Sequence, residues 1–84
     1  MDELVAKFEK NAAEQIYVSL REYRGHQLID VRTYYQTEEG EWRPTKKGVS
    51  ISVDLFPELK QAIVNLEKRL RERELIEPAL EGEE

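Results

Sequence analysis

The sequence predicts an α+β domain, four antiparallel strands followed by a C-terminal helix, and three observations lead there. From Ile16 apolar residues alternate with polar ones at a period of two. Glycines interrupt that alternation at Gly25, Gly40 and Gly48, and past residue 54 the apolar spacing lengthens to three and four. Alternation marks half-buried strands, and the change of period marks the passage into a helix.

Residues 1–15 read as a short segment of helical spacing, with Leu4, Val5, Phe8 and Ala12 on one side. Such a helix is too short to hold alone, so it docks or frays. Ile16, Val18 and Leu20 then alternate with Tyr17, Ser19 and Arg21 in a first strand. "YRGH" turns the chain at Gly25, where positive φ costs glycine little. A second strand over about 27–35 sets Ile29 and Val31 against Asp30 and Arg32, and "TEEGE" is a loop around Gly40. "WRPTK" is a shorter strand whose Pro44 cannot donate to a ladder and so belongs at an edge or a bulge. Gly48 turns the chain into "VSISV", the fourth strand.

The helix follows. Asp54 is placed to cap it, and Pro57 falls in the first turn, where no amide partner is lost. Leu59, Ile63, Leu66 and Leu70 draw a narrow apolar seam between the charged residues Lys60, Glu67, Lys68, Arg69 and Arg71. That spacing suits packing against another helix. The chain has one strong helix, so the partner is expected from a second copy. The organisation predicted is a short N-terminal segment (1–15), a domain (16–76) and an acidic tail (77–84).

Composition narrows the function classes. A chain of 84 residues buries only about 60% of its unfolded surface. It has no cysteine to staple a thin core, so association is expected to complete it. With His26 as the single histidine, no metal site is expected, and no cofactor. No apolar run approaches the roughly 20 residues of a membrane span, and "MDELVAKFEK" lacks the basic-then-apolar order of a signal peptide. An intracellular protein is expected, in the cytoplasm or nucleoid, or in the nucleus of a eukaryote. There is neither a cysteine nucleophile nor a glycine-rich phosphate loop, so no catalytic residue is nominated and an enzyme is not expected.

The net charge of −5 resides in residues 72–84, where six acids face one base. The rest of the chain balances, and 16–47 hold six bases against five acids. Because charges are screened beyond about 8–10 Å, an acidic end and a local basic groove coexist. Parity puts Tyr17, Ser19, Arg21 and Tyr23 on one face of the first strand, and Asp30, Arg32 and Tyr34 on one face of the second. Arg43, Lys46 and Lys47 follow from the third strand and its turn. Rings interleaved with cations suit a single-stranded nucleic acid, whose bases stack while its phosphates are neutralised. An RNA-binding protein, and a protein-interaction module working through the helix and acidic tail, remain as alternatives.

The run "YVSLREYRGHQLIDVRTYY", then "EGEWRPTKKG" and the helix opening "LFPEL", resembles the C-terminal domain of positive cofactor 4, a single-stranded-DNA-binding transcriptional coactivator family, and its compact bacterial relatives. The resemblance spans about Tyr17 to Ile63. It implies strongly curved four-stranded sheets that present ridges to unpaired DNA, in a homodimer joined through its helices. It also implies low sequence preference, and work alongside the transcription machinery or in DNA maintenance. By position Tyr23 stands where the family has a stacking phenylalanine, and Tyr35 where it has a stacking tryptophan. Arg21, Arg24, Arg32, Arg43, Lys46 and Lys47 match basic backbone-contacting positions, and His26 replaces a lysine with a weaker contact. Alternation sets Tyr34 beside Arg32, whereas the resemblance nominates Tyr35; a bulge near the strand end would reconcile the two, and Tyr35 is expected to be the stacking ring. Trp42 is expected to pack beside the loop.

Overall fold

A computed structural model describes residues 2–77, and the chain divides after Asp54 into a sheet unit and a helical unit. Four strands hydrogen-bond in chain order, each antiparallel to the next: β1 (Glu3–Glu9), β2 (Glu14–Tyr23), β3 (His26–Gln36) and β4 (Trp42–Ser52). A single 3₁₀ turn (Val53–Leu55) leads into α1 (Phe56–Glu72). The predicted α+β order, a four-stranded antiparallel sheet and then a helix, is the one observed.

The membership of the sheet differs from expectation at both ends. Residues 3–9 form a strand, where the apolar spacing predicts a helix. Leu4 pairs with Ser19 and Ala6 with Val18, which leaves Val5 as an extra residue in a bulge. That insertion breaks the period-two pattern and brings Leu4, Val5 and Phe8 to helix-like intervals. At the other edge, "WRPTK" and "VSISV" are one continuous strand. Opposite the single residue Thr33, β4 carries three residues, Thr45, Lys46 and Lys47, between the pairs Arg32–Gly48 and Tyr34–Pro44. Here too a bulge disguises one strand as two. Pro44 sits beside the bulge on an edge strand, where its missing donor is tolerated.

Gly48 is therefore a strand residue. A Cβ there would lie 2.7 Å from the Val31 carbonyl oxygen and 2.9 Å from the Arg32 Cα, so glycine permits the close approach of two backbones. The turn between β2 and β3 consists of Arg24 and Gly25, both at positive φ (52° and 82°), the handedness favoured in two-residue hairpins.

In the helical unit, Pro57 occupies the first turn as predicted, but the turn before it displaces Asp54 from the cap. Leu55 takes that position without a side-chain bond, while the Asp54 amide donates to the Ser52 hydroxyl at 3.2 Å. The helix ends in a Schellman motif. Glu74 is left-handed (φ 58°), its amide donates to the Arg71 carbonyl, and the Leu75 amide donates to the Leu70 carbonyl at 2.8 Å. Ile63 and Leu66, at the centre of the apolar seam, are each more than half exposed.

Among the described residues no hydrophobic side chain is fully buried; Asp30 and Thr33 are the buried positions. Leu4, Val5, Phe8, Val49, Phe56 and Val64 are all open to solvent.

Candidate nucleic-acid interface

Register partners in an antiparallel pair stand on the same face of a sheet, so the ladders sort the candidate residues. Tyr17 pairs with Arg32, Ser19 with Asp30, Arg21 with Leu28, Tyr23 with His26 and Gln15 with Tyr34. These residues make one polar face, joined by Lys7 from β1 and by Gly48 and Ser50 from β4. The opposite face holds Ile16, Val18, Ile29, Val31, Val49 and Ile51.

Tyr35 lies on that second face, paired with Glu14 and Arg43. Pairing between β2 and β3 runs unshifted through Tyr34 and Tyr35, because the bulge near this end belongs to β4. The expected grouping of Tyr35 with Arg32 is therefore not formed, and alternation places Tyr34 correctly. Tyr35 remains 41% exposed beside Arg43. It stands nine residues along β3 from His26, about 30 Å of strand.

Four of the nominated residues come together at the hairpin. Arg21, Tyr23 and His26 are exposed on the polar face, and Arg24 in the turn holds its guanidinium 5.1 Å from the centre of the Tyr23 ring. Tyr23 is the most exposed of the nominated rings, at 59%. Lys46 and Lys47 are exposed on the β4 bulge, and Arg43 pairs with Glu41 at 2.8 Å. Trp42 is half-buried beside the loop, as expected.

Arg32 is differently placed. Its Nε and Nη2 donate to the two Asp30 carboxylate oxygens at 3.1 and 2.9 Å, and its Nη1 donates to the Thr45 carbonyl at 3.1 Å. The Ser50 hydroxyl adds a bond of 2.7 Å to Asp30. Burial pushes the Asp30 carboxyl up, but the bonds from Arg32 and Ser50 and the Arg32 charge outweigh it and hold the group below its ordinary value. The bond to Asp30 raises Arg32 in turn. Arg32 thus ties β3 to the β4 bulge, with few of its donors left for a phosphate.

On the same face the Tyr17 and Tyr34 rings stack at 4.0 Å with 11° between planes, and the Lys7 ammonium stands 5.9 Å from the Tyr17 ring centre. Asp2 reaches Arg21, its Oδ2 lying 3.5 Å from Nε. Lys7 and Asp2 join this face because residues 3–9 are a strand, and a helical reading of that segment hides them. Among the described residues no group of three or more histidines and carboxylates converges as a metal would require, and no helix is long and apolar enough to cross a membrane.

Comparison with known proteins places these features in a family. The family described as Transcriptional Coactivator p15 (PC4) matches residues 10–62. The chain is 42% identical over 55 residues to the RNA polymerase II transcriptional coactivator SUB1 of Saccharomyces cerevisiae, covering 64% of this chain and 19% of that protein. It is 37% identical over 60 residues to the RNA polymerase II transcriptional coactivator KIWI of Arabidopsis thaliana, covering 71% and 55%. The chain thus spans about a fifth and about half the length of these two relatives. Among solved structures, the PC4 homolog BPSL1147 of Burkholderia pseudomallei superposes with a TM-score of 0.71 at 31% identity, over 77% of this chain and 88% of that one. A MoSub1–DNA complex superposes with a TM-score of 0.59 at 25% identity, over 81% and 83%.

Proposed function

The chain belongs to the PC4 family of transcriptional coactivators, and from that membership we propose that it binds single-stranded DNA as a homodimer, by contact alone and without chemistry. The observation that carries this reading is the hairpin tip. There the Tyr23 ring is held open under the Arg24 guanidinium, with Arg21 and His26 on the same face. An exposed ring flanked by cations offers a base a stacking surface and its phosphates neutralisation, and neither contact depends on which base is present. The DNA complex solved for a relative supports DNA as the ligand. Toward the other end of β3, Tyr35 pairs with Arg43, and Lys46 and Lys47 stand exposed on the β4 bulge, where they offer further contacts of the same kind.

The homodimer is supported by the open seam of α1 and by the lack of any buried hydrophobic side chain among the described residues. Pairing of the helices, strong curvature of the sheet, and residues 16–76 as the binding domain complete the proposal. Of the acidic tail, residues 78–84 lie outside the described residues. The role is that of a transcriptional coactivator or DNA-maintenance factor, in contact with the transcription machinery, in the cytoplasm and nucleoid or in a eukaryotic nucleus.

Titration of the full chain with oligothymidine across a salt series tests the reading. Binding is expected, with log affinity falling by about 0.7 per neutralised phosphate against log salt. Tyr23→Ala should weaken binding by about 1–3 kcal/mol with that slope unchanged, while Lys46→Ala should flatten it. Absence of binding, preference for the matched RNA oligomer in competition, or the same slope in every variant would overturn the proposal.

A further inference from the structure

Running back from the hairpin tip, with which it shares Arg21, the polar face of the sheet holds an open cleft of about 240 Å³, bounded by Asp2, Leu4, Tyr17, Ser19, Arg21 and Tyr34. One wall is aromatic, the stacked Tyr17–Tyr34 pair. At the other end two donors converge on one carboxylate. Arg21 Nε lies 3.5 Å from Asp2 Oδ2, and the Glu22 amide donates to Asp2 Oδ1 at 3.3 Å. The molecule thus shows an oxyanion seat and fills it with a carboxylate of its own. Tyr17 and Arg21 are four residues apart on the same face of β2, about 13 Å, a distance that a short extended stretch of single strand covers. A flat π surface and a paired-donor seat in one cleft match a base and a phosphate farther along the same short stretch of strand.

We propose that this cleft is a further nucleotide subsite. A base lies against the Tyr17–Tyr34 pair, and a phosphate takes the place of the Asp2 carboxylate on Arg21 and the Glu22 amide. The inference rests on the reading of the chain as a single-strand binder. It adds Tyr17 and Tyr34 to the binding surface and makes Asp2 an internal competitor for the phosphate. Glu3, on the same rim, adds to the negative charge that an incoming strand meets. A purely architectural role for these groups makes a different prediction. The rings would then serve as a diagonal cross-strand pair and Asp2 would pin β1 to β2, with no effect on ligand affinity.

The full chain and four variants, Asp2→Asn, Arg21→Gln, Asp2→Asn with Arg21→Gln, and Tyr34→Leu, are titrated with oligothymidine and with an oligomer of abasic deoxyribose phosphates. Asp2→Asn should tighten oligothymidine binding about 2- to 5-fold and steepen the salt slope by about 0.7. The gain should vanish when Arg21→Gln is already present. Tyr34→Leu should weaken oligothymidine binding about 5- to 100-fold while leaving affinity for the abasic oligomer unchanged, a difference that misfolding would erase. Oligothymidine binding that is the same with and without Asp2→Asn, or a Tyr34→Leu loss of equal size on both oligomers, overturns the subsite alone. Failure of the unsubstituted chain to bind oligothymidine overturns the single-strand reading and the subsite with it.

Discussion

Asp30 is 1% exposed and still carries a charge, because Arg32 grips both of its oxygens and Ser50 donates a third bond. Breaking such a pair from one side leaves a buried charge uncompensated, so Arg32→Ala should destabilise the fold by about 3–5 kcal/mol. Arg32→Lys should also destabilise it, since an ammonium cannot reproduce the fork. The sign of the pH dependence follows from the lowered Asp30 carboxyl. Its contribution is complete above the unfolded value of about 3.9 and is lost as pH falls through the folded one. The melting-temperature gap between the unsubstituted chain and Asp30→Asn should therefore be constant near neutrality and close below about pH 4. A second residue carries its cost openly. Arg24 is left-handed at φ 52°, a conformation that asparagine tolerates better, in the Asn-Gly pairing favoured for this turn. Arg24→Asn should raise stability by about 0.5–1 kcal/mol while weakening oligothymidine binding, a division seen by comparing thermal melts with titrations. Parity made Arg21 and Tyr23 legible as neighbours, whereas His26, read as part of the turn, joins them because β3 begins at that residue. The sequence alone left Arg32 among the phosphate contacts, because no pattern in the chain reveals that Asp30 and Thr45 occupy its donors.

At the scale of elements, β2 and β3 and the presence of a turn at Gly25 between them were readable from period and turn chemistry. The edge strands were not, for one physical cause. Each carries a bulge: at Val5 in β1, where the one inserted residue shifts the side chains beyond it to the other face, and across Thr45–Lys47 in β4, where two extra residues keep the parity but interrupt the ladder. A pattern of period two then reads as a helix in one case and as two strands in the other. Gly48 shows the consequence, since its place in the chain suggests a turn while its surroundings require a gap. A methyl group there would press on the Val31 carbonyl and the Arg32 backbone, neither of which can swing aside. Gly48→Ala should cost about 1–3 kcal/mol, and by pushing β4 away it should also loosen Arg32 from Thr45. Denaturant melts should register the cost, and faster amide exchange confined to the β3–β4 ladder should locate it. A true turn at Gly48 would give the first effect without the second.

For the molecule as a whole, the apolar surface is in the wrong place for a solitary protomer. The described residues enclose no hydrophobic side chain, while Ile63 and Leu66 on α1, with Leu55, Phe56 and Val64 around them, stand about half exposed or more. Burying apolar area gives about 25 cal/mol per Å², and a chain that leaves so much of it open lacks the main term opposing conformational entropy. A second copy laid against the seam of α1 would supply that term, so folding and association should be one event. Unfolding is then expected to depend on protein concentration, the melting temperature rising with each tenfold increase. Placing a charge in the seam separates the possibilities. Ile63→Glu with Leu66→Glu should convert a dimer of twice the 9.9 kDa chain mass into a monomer by sedimentation. The same change should lower the melting temperature of the whole chain, sheet included, although neither residue belongs to the sheet. A monomeric variant as stable as the unsubstituted chain would show that the sheet stands without its partner, and would leave the open seam without a structural purpose.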